Sequence, residues 1–269
     1  MRPKARISTA GYRERFGRCS TSQQPLGTSG TRKENVLRTI VLSDVHGEPV
    51  IITAVLEHAA YNPTTDRLIF AGDAIEIGRD SLGCLDLLEE LGAECLVGNH
   101  EWVYFTGSSL EPEPVDSRVL QRVGANLISG SGKLAAEADG VLITHAGVSE
   151  GLRDKYEEAG SVAQFAARLN AGFKRAVEDA AIHSVELEDA DPLWWRPGWG
   201  HEPLSDVLQV IGHTPIEFYN RPDAAGLMEQ LGLYLVDPWV RGWRERGFAP
   251  PVPVRYAVIE DGVVRVVEG

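Results

Sequence analysis

The sequence predicts an α/β fold in which strands and helices alternate and the strands pair mainly in parallel. Three observations lead to this prediction. Short apolar runs recur along the chain, most of them end in Gly or a polar residue, and segments with helical apolar spacing separate them. The chain of 269 residues is long enough to bury one large core. We therefore expect residues 36–269 to form a single domain.

Strand-like and helical segments follow one another in the order that such a fold requires. The strand-like segments are residues 39–42, 66–70, 94–97, 140–143 and 207–211, and a hairpin pattern covers 256–267 around Asp261-Gly262. Helical spacing occurs over 49–60, 81–91 and 161–182, and Gly92 stops the second of these helices. The acidic, proline-containing stretch 108–114 is expected to be a loop.

The first 35 residues follow a different pattern. They lack hydrophobic periodicity and are rich in Arg, Ser, Thr and Gly, which predicts a disordered N-terminal tail. An organelle transit peptide is one alternative, because such peptides are also rich in Arg and Ser and poor in acids. A start codon assigned too far upstream, which would add untranslated residues, is the other.

Charge and cysteine content exclude several classes of partner. The formal net charge is −13, and residues 1–33 hold eight Lys or Arg and one acid, so the remaining chain carries −20. Such an acidic body repels nucleic-acid backbones, so we expect no duplex partner. No apolar run approaches the ~20 residues of a membrane span. The three scattered cysteines favour a reducing compartment. We therefore expect a cytoplasmic protein without a membrane partner, and its oligomeric state stays open.

Residues able to bind metal follow five of the strand-like segments. They are Asp44 and His46, then Asp73, then Asn99 and His100, then His145, then His213. In layered α/β folds, sites form beyond the carboxyl ends of strands. Carboxylate, amide and imidazole donors without thiolate suit Mn, Fe or Zn. Two such ions ~3.5–4 Å apart would acidify a shared water and neutralise phosphoryl oxygens during in-line attack.

Five short motifs occur in a fixed order along the chain. They are Asp44-Val45-His46-Gly47, Gly72-Asp73, Gly98-Asn99-His100-Glu101, Thr144-His145-Ala146-Gly147 and Gly212-His213-Thr214. Together they resemble the signature of the calcineurin-like metallophosphoesterases, in particular the branch of bacterial Ser/Thr protein phosphatases and symmetrical diadenosine tetraphosphatases. The resemblance spans about residues 38–215. It implies a layered sandwich of two mixed β-sheets flanked by helices, with a dinuclear metal site at the carboxyl ends of strands.

The resemblance also implies a role for each matched residue. Asp44 and His46 would hold the first metal, Asp73 would bridge both, and Asn99, His145 and His213 would hold the second. His100 resembles the family's general acid, which protonates the leaving oxygen. Glu76 stands where the branch has an Asp that keeps this histidine charged.

The phosphate-binding arginine of the branch is missing at its usual place. Ile77 occupies that position, and an isoleucine cannot grip phosphate as a guanidinium does. Arg79, two residues later, is one candidate for substrate binding. Arg196 is the other, because Trp194-Trp195-Arg196 resembles the Trp-x-Arg segment of bacterial protein phosphatases.

The expected activity is hydrolysis of a phosphate ester with two divalent ions, with Mn preferred and Fe or Zn as alternatives. A phosphomonoesterase of the Ser/Thr protein phosphatase-like type, acting on a phosphoprotein or a small phosphate ester, is the leading hypothesis. A dinucleoside polyphosphate hydrolase would use the same metals and stays open. A catalytically silent phosphate-binding or scaffold protein is the hypothesis from another class.

Overall fold

The computed structural model of the protein describes residues 38–112, 114–180 and 191–269. The predicted disordered tail, residues 1–35, lies outside the described residues. That segment and the extent of the single domain at 36–269 therefore stay predictions.

Strands and helices alternate through the described residues. The strands are β1 (Arg38–Leu42), β2 (Asp66–Phe70), β3 (Glu94–Cys95), β4 (Ala135–Ala138), β5 (Val141–Thr144), β6 (Gln209–Ile211), β7 (Leu233–Leu235), β8 (Arg255–Glu260) and β9 (Val263–Glu268). The helices are α1 (Pro49–His58), α2 (Ser81–Glu90), α3 (Asn99–Phe105), α4 (Ser117–Ile128), α5 (Arg153–Ala159), α6 (Val162–Ala180), α7 (Asp191–Trp194), α8 (Ala224–Gln230) and α9 (Val240–Glu245). Short 3₁₀ helices cover Glu150–Leu152 and Ile216–Tyr219.

The strands form two mixed sheets. The first has the order β3-β2-β1-β8-β9, and the second has the order β4-β5-β6-β7. In the first sheet β1, β2 and β3 are parallel, whereas β8 and β9 complete it as an antiparallel hairpin. In the second sheet β5, β6 and β7 are parallel and β4 is antiparallel to β5. The predicted fold class, a layered α/β sandwich of two mixed sheets flanked by helices, is confirmed.

The core lies between the two sheets. Val41 and Ile69 of the first sheet and Ile143 and Val210 of the second belong to one cluster of fully buried side chains. On the outer face of the second sheet, Phe165 of α6 is buried in a cluster that includes Leu142. Strands buried on both faces read as continuous apolar runs, which is why the first strands were recognisable from the sequence.

Several elements were not anticipated. The segment Ala135–Ala138 reads Ala-Ala-Glu-Ala, a composition that favours helix, yet it is a strand because it pairs along its whole length with β5. The predicted strand 94–97 is shorter, and Leu96 makes only an isolated bridge to Lys133. The predicted helix 161–182 covers Val162–Ala180, and its last two residues lie outside the described residues. Within the described ranges, none of the helices combines the length and apolarity needed to cross a bilayer.

Candidate functional site

Four of the predicted metal ligands follow strand ends in a left-handed backbone conformation. Asp44 and His46 follow β1, Asp73 follows β2 and His213 follows β6, with φ angles of 53°, 44°, 62° and 62°. This conformation costs a non-glycine residue roughly 1–3 kcal/mol, and such strain clusters at functional sites. All four side chains are buried. The fold therefore holds four polar residues in unfavourable backbone positions at one place.

The carboxylate of Asp73 lies among three histidines. Its Oδ2 atom is 3.4 Å from Nε2 of His145, 3.7 Å from Nε2 of His46 and 3.8 Å from Nε2 of His100. Its Oδ1 atom accepts a hydrogen bond of 3.0 Å from the backbone N–H of His100. A Cβ atom at Gly98 would contact this Oδ1 atom and would lie 2.6 Å from the Asp73 nitrogen. The glycine before Asn99 is thus required so that two strand ends can approach each other.

Asp44 is oriented in the same way. Its Oδ2 atom accepts a hydrogen bond of 2.9 Å from the backbone N–H of His213, and its Oδ1 atom is 3.8 Å from Nε2 of His46. A Cβ atom at Gly212 would contact Asp44 Oδ2, so this glycine also permits a close approach. In both aspartates one oxygen is held by the backbone and the other faces imidazole nitrogens.

Backbone carbonyls set the orientation of two imidazole rings. Nδ1 of His46 is 3.1 Å from the Ile75 carbonyl oxygen, and Nδ1 of His145 is 2.9 Å from the Ala71 carbonyl oxygen. A carbonyl only accepts, so each Nδ1 carries a proton, and in the neutral ring Nε2 presents a lone pair. These lone pairs face the oxygens of Asp44, Asp73 and Asn99. Acceptors that face acceptors in a buried site indicate a place for a cation.

The side-chain oxygen of Asn99 lies close to the two remaining histidines that are predicted to bind metal. Its Oδ1 atom is 2.9 Å from Nε2 of His145 and 3.1 Å from Nδ1 of His213. Nε2 of His213 is buried and has no hydrogen-bond partner among the residues that the structure describes. A buried polar atom without a partner is costly unless a ligand satisfies it. The side chains of Asn99, His145 and His213 therefore fit a second metal bound next to Asp73.

The potential ligand atoms form two groups that share Asp73. One contains His46, Asp73 and His100, and the other contains Asp73, His145 and His213, with the ligand atoms of each group within 4.8 Å of one another. Burial acts to lower the pKa of His145, but the carboxylates of Asp73 and Asp44 outweigh it and raise this pKa to about 10. Without a metal, His145 therefore also holds a proton at Nε2, and a bound cation would displace that proton and take up the lone pair. The carboxylates thus draw positive charge to the site, which is the electrostatic requirement for binding divalent cations.

His100 differs from the other histidines because a second carboxylate holds it. Its Nδ1 atom is 2.6 Å from Oε2 of Glu76, and the other carboxylate oxygen of Glu76 accepts a hydrogen bond from the Ser109 hydroxyl. Burial acts to lower the pKa of His100, but the charge of Asp73 and the hydrogen bond to Glu76 raise it to about 9. The extra methylene of a glutamate at position 76 therefore does not prevent contact with the histidine.

Glu101 is a site residue whose role the sequence did not reveal. Its carboxylate is buried and accepts three backbone hydrogen bonds, from Asp73 at 2.9 Å, Ala74 at 2.7 Å and Gly98 at 2.9 Å. One side chain thus joins the loop after β2 to the start of α3. A glutamate three residues after a helix start normally caps its own helix. Only the fold shows that this one also binds the neighbouring loop.

The two predicted substrate-binding arginines lie in different surroundings. Nη1 of Arg196 donates to the His213 carbonyl and to the Thr214 hydroxyl, both at 3.0 Å, so this guanidinium adjoins the predicted metal ligand His213. Arg79 stacks over the ring of Phe248, with its Cζ atom 4.2 Å from the ring centroid. Both Arg79 and Glu76 line a cavity of about 450 Å³.

Arg244 is a further arginine at this cavity that sequence reasoning did not identify. It lies on α9, and its Nη1 atom donates a hydrogen bond of 2.7 Å to the Ile77 carbonyl. The cavity therefore has arginine side chains at Arg79, Arg118 and Arg244, although Arg118 is paired with Asp116. A guanidinium reaches the backbone of position 77 from the C-terminal part of the chain.

Comparison with known proteins is consistent with this geometry. Residues 37–242 match the sequence model of a family described as calcineurin-like phosphoesterase. Over 61 residues the chain is 41% identical to serine/threonine-protein phosphatase 1 of Salmonella typhimurium, which covers 23% of this chain and 28% of the relative. Over 67 residues it is 36% identical to the symmetrical bis(5′-nucleosyl)-tetraphosphatase of Actinobacillus succinogenes, which covers 24% of each. The chain thus spans about a quarter of the length of these curated relatives.

Solved structures extend the similarity to most of the chain. A protein serine/threonine phosphatase from Saccharomyces cerevisiae superposes with a TM-score of 0.55 at 15% sequence identity. The match covers 87% of this chain and 81% of the other. At this identity the likeness concerns the fold alone.

Proposed function

This chain belongs to the calcineurin-like phosphoesterase family, and on that premise we propose that it is a metal-dependent hydrolase that cleaves a phosphate ester by in-line attack of water. We propose a phosphomonoesterase of the Ser/Thr protein phosphatase-like type. The arrangement of Glu76, His100 and Asp73 is the observation that carries this proposal.

We propose that Asp44, His46 and Asp73 hold one divalent cation, and that Asp73, Asn99, His145 and His213 hold the other. When bound, two such cations neutralise phosphoryl oxygens and lower the pKa of an attacking water. The buried lone pairs described above support this assignment. The preference for Mn over Fe or Zn and the cytoplasmic location stay predictions from the sequence.

His100 acts as the general acid in this proposal. Its Nε2 atom lies 3.8 Å from Oδ2 of Asp73, while its Nδ1 atom contacts Oε2 of Glu76 at 2.6 Å. Glu76 keeps the imidazole protonated, so that Nε2–H can donate its proton to the leaving oxygen as the ester bond breaks. A histidine beside cations would otherwise lose this proton. His100 also belongs to one group of potential metal ligands, but its charged hydrogen bond to Glu76 favours the role of an acid.

Arg196 orients the phosphate in this proposal. Its guanidinium is held against the His213 carbonyl, and a planar guanidinium has further N–H groups that can bind phosphate oxygens. Arg79 is proposed to bind a more distant part of the substrate, because it lines the cavity beside Glu76.

A dinucleoside polyphosphate hydrolase is the second candidate. The similarity to a symmetrical bis(5′-nucleosyl)-tetraphosphatase supports it, as do Arg79 and Arg244 in the cavity of about 450 Å³. An anhydride substrate carries additional phosphates beyond the bond that is cleaved, and the arginines that line this cavity could bind them.

Metal-dependent turnover tests the proposal. Purified protein with added Mn should hydrolyse 4-nitrophenyl phosphate, and EDTA should abolish this activity. A panel of phosphopeptides, dinucleoside polyphosphates, mononucleotides and a phosphodiester at fixed Mn would then separate the two candidates. Failure to turn over any substrate with Mn, Fe, Co, Ni or Zn would instead favour a catalytically silent phosphate-binding protein.

A further inference from the structure

A tight turn beside the metal ligands is held in a defined conformation. Trp199 donates its backbone N–H to the Arg196 carbonyl at 2.9 Å, with Pro197 and Gly198 between them. Gly198 has a φ angle of 85°. Proline followed by a glycine with positive φ is typical of a type II turn, which needs the positive φ at its third residue. The turn therefore fixes the position of Trp199 relative to Arg196.

A second element locks this turn to the site. The Tyr219 hydroxyl donates to the Pro197 carbonyl at 3.0 Å, and Tyr219 ends the 3₁₀ helix Ile216–Tyr219, which begins shortly after His213. Arg196 completes the link through its bonds to His213 and Thr214. Turn and 3₁₀ helix are thus joined to each other and to a predicted metal ligand.

Buried and exposed aromatic residues are separated within this region. Trp195 is only 7% exposed and belongs to an apolar cluster with Ile211, so it anchors the segment. Trp199 is 62% exposed and Phe218 is 45% exposed. Their ring centroids lie 5.5 Å apart in an edge-to-face arrangement. We call Trp199 and Phe218 the aromatic pair.

The side chain of Arg196 contacts both the aromatic pair and the candidate metal centre. The Cζ atom of Arg196 is 5.4 Å from the Phe218 ring centroid, while Nη1 of the same side chain is 3.0 Å from the His213 carbonyl oxygen. Trp194, which is 39% exposed, also contacts the His213 ring edge-to-face at a centroid distance of 6.2 Å. A phosphate bound by Arg196 would therefore place its attached group near exposed aromatic rings.

We propose that the aromatic pair is a stacking site for a flat aromatic ring that the substrate carries next to its phosphate, either a nucleobase or an aryl group. This inference rests on the proposed function and names its substrate class. A contiguous exposed apolar patch bordered by polar residues often marks an interaction site, and the two exposed rings of the pair are in contact with each other. Aromatic faces stack on any flat π-system, and a neighbouring guanidinium adds cation–π attraction. The pair, rather than the metals, would thus select among phosphate esters.

Matched substrates isolate the contribution of the ring. The first pair is AMP and ribose 5-phosphate, which share a sugar phosphate and differ by the base. The second pair is 4-nitrophenyl phosphate and glycerol phosphate, which also differ in leaving group. For this pair only the change in the kcat/KM ratio between wild type and variant is used, because the leaving-group effect is the same in both proteins. With Mn-loaded protein we expect higher kcat/KM for the member that carries a ring in at least one pair. Trp199→Ala and Phe218→Leu should reduce that preference about tenfold, mainly through KM, as loss of one stacked ring predicts.

Controls separate stacking from general damage. Phe218→Leu retains an apolar side chain and removes only the ring, and melting temperatures verify that both variants fold. Ile128→Ala removes another exposed apolar side chain, 67% exposed at the end of α4, and should leave both preferences unchanged. If the variants lose the preference only in the AMP pair, the ring that stacks is a nucleobase. If they lose it only in the nitrophenyl pair, the ring belongs to an aryl ester.

Three results would overturn the inference. The variants could retain both preferences, or lower kcat/KM equally for all four substrates. Alternatively, sedimentation could show a dimer that Trp199→Ala dissociates, which would mean that a second copy covers the pair. If no substrate is hydrolysed, the proposed function fails separately, and calorimetric binding of both members of each substrate pair to the Mn-loaded protein tests the stacking site by itself. Equal affinities there would refute the stacking site.

Discussion

Replacement of Glu101 by glutamine tests how the fold holds the candidate metal centre. The carboxylate accepts three backbone N–H groups, from Asp73, Ala74 and Gly98, at 2.7–2.9 Å. A glutamine oxygen in place of Oε2 keeps the bonds from Asp73 and Gly98, but the amide N–H₂ group then faces the Ala74 N–H. The variant Glu101→Gln thus replaces one hydrogen bond by two opposed donors and weakens the other two bonds.

The magnitude follows from these bonds. A buried N–H left without an acceptor costs about 1–3 kcal/mol, and the change from a charged to a neutral acceptor costs about 0.5–1 kcal/mol for each remaining bond. Burial and then the charge of Asp73 raise the pKa of Glu101, so removal of its charge offsets part of this loss. We expect a net loss of about 2–3 kcal/mol in the free energy of unfolding, which lowers Tm by roughly 5–10 °C in a domain of this size.

Thermal unfolding and metal content are the measurements. Because Glu101 joins the loop of Asp73 to the start of α3, we also expect a 10- to 100-fold weaker metal affinity, about the effect of losing a residue that supports metal ligands. Glu157→Gln, an exposed glutamate on α5, is the control and should change stability by less than about 0.5 kcal/mol. A Tm for Glu101→Gln equal to that of the control, with unchanged metal affinity, would refute this account of Glu101.

Other variants address the remaining parts of the site. Asp73→Asn should remove the ligand shared by both metals and nearly all activity; retention of wild-type rate and metal content would contradict the two-metal proposal. His100→Asn should lower kcat about 10²- to 10⁴-fold with metal retained, and more strongly for alkyl than for phenolate leaving groups, so equal losses would argue against a general acid. Gly98→Ala should lower metal content and Tm, because its Cβ atom would contact Asp73 Oδ1; normal values in plasma emission spectroscopy and calorimetry would show that the loops can separate. EDTA should lower Tm, because a metal that binds only the folded state stabilises it by an amount that rises with the logarithm of the metal concentration divided by Kd; an unchanged Tm would contradict metal binding.

The ligand motifs were readable from the sequence because their chemistry is local. Apolar runs buried on both faces predicted β1 and β2 at or within one residue of their observed bounds, and polar residues directly after them are conspicuous. The carboxyl ends of parallel strands meet at one edge, so Asp44 and Asp73 could be expected to lie together. Whether they hold metal stays a prediction.

Contacts between distant segments could not be read in the same way. Glu101 looks like an ordinary helix-capping residue until the fold brings Asp73 to it, and Arg244 reaches Ile77 from 167 positions further along the chain. Ala135–Ala138 is a strand only because β5 offers it hydrogen-bond partners. Residue spacing along the chain carries no information on such pairings.

The proposed phosphoester chemistry therefore rests on local motifs, whereas the proposed recognition of substrate rests on tertiary structure. The residue types that bind divalent cations are set by side-chain donors, which the sequence states directly. Trp194, Trp195 and Trp199 were equivalent in the sequence. Trp195 is buried because it packs against Ile211, Leu233 and Leu235, whereas Trp199, which follows the turn at Pro197-Gly198, stays exposed beside Phe218.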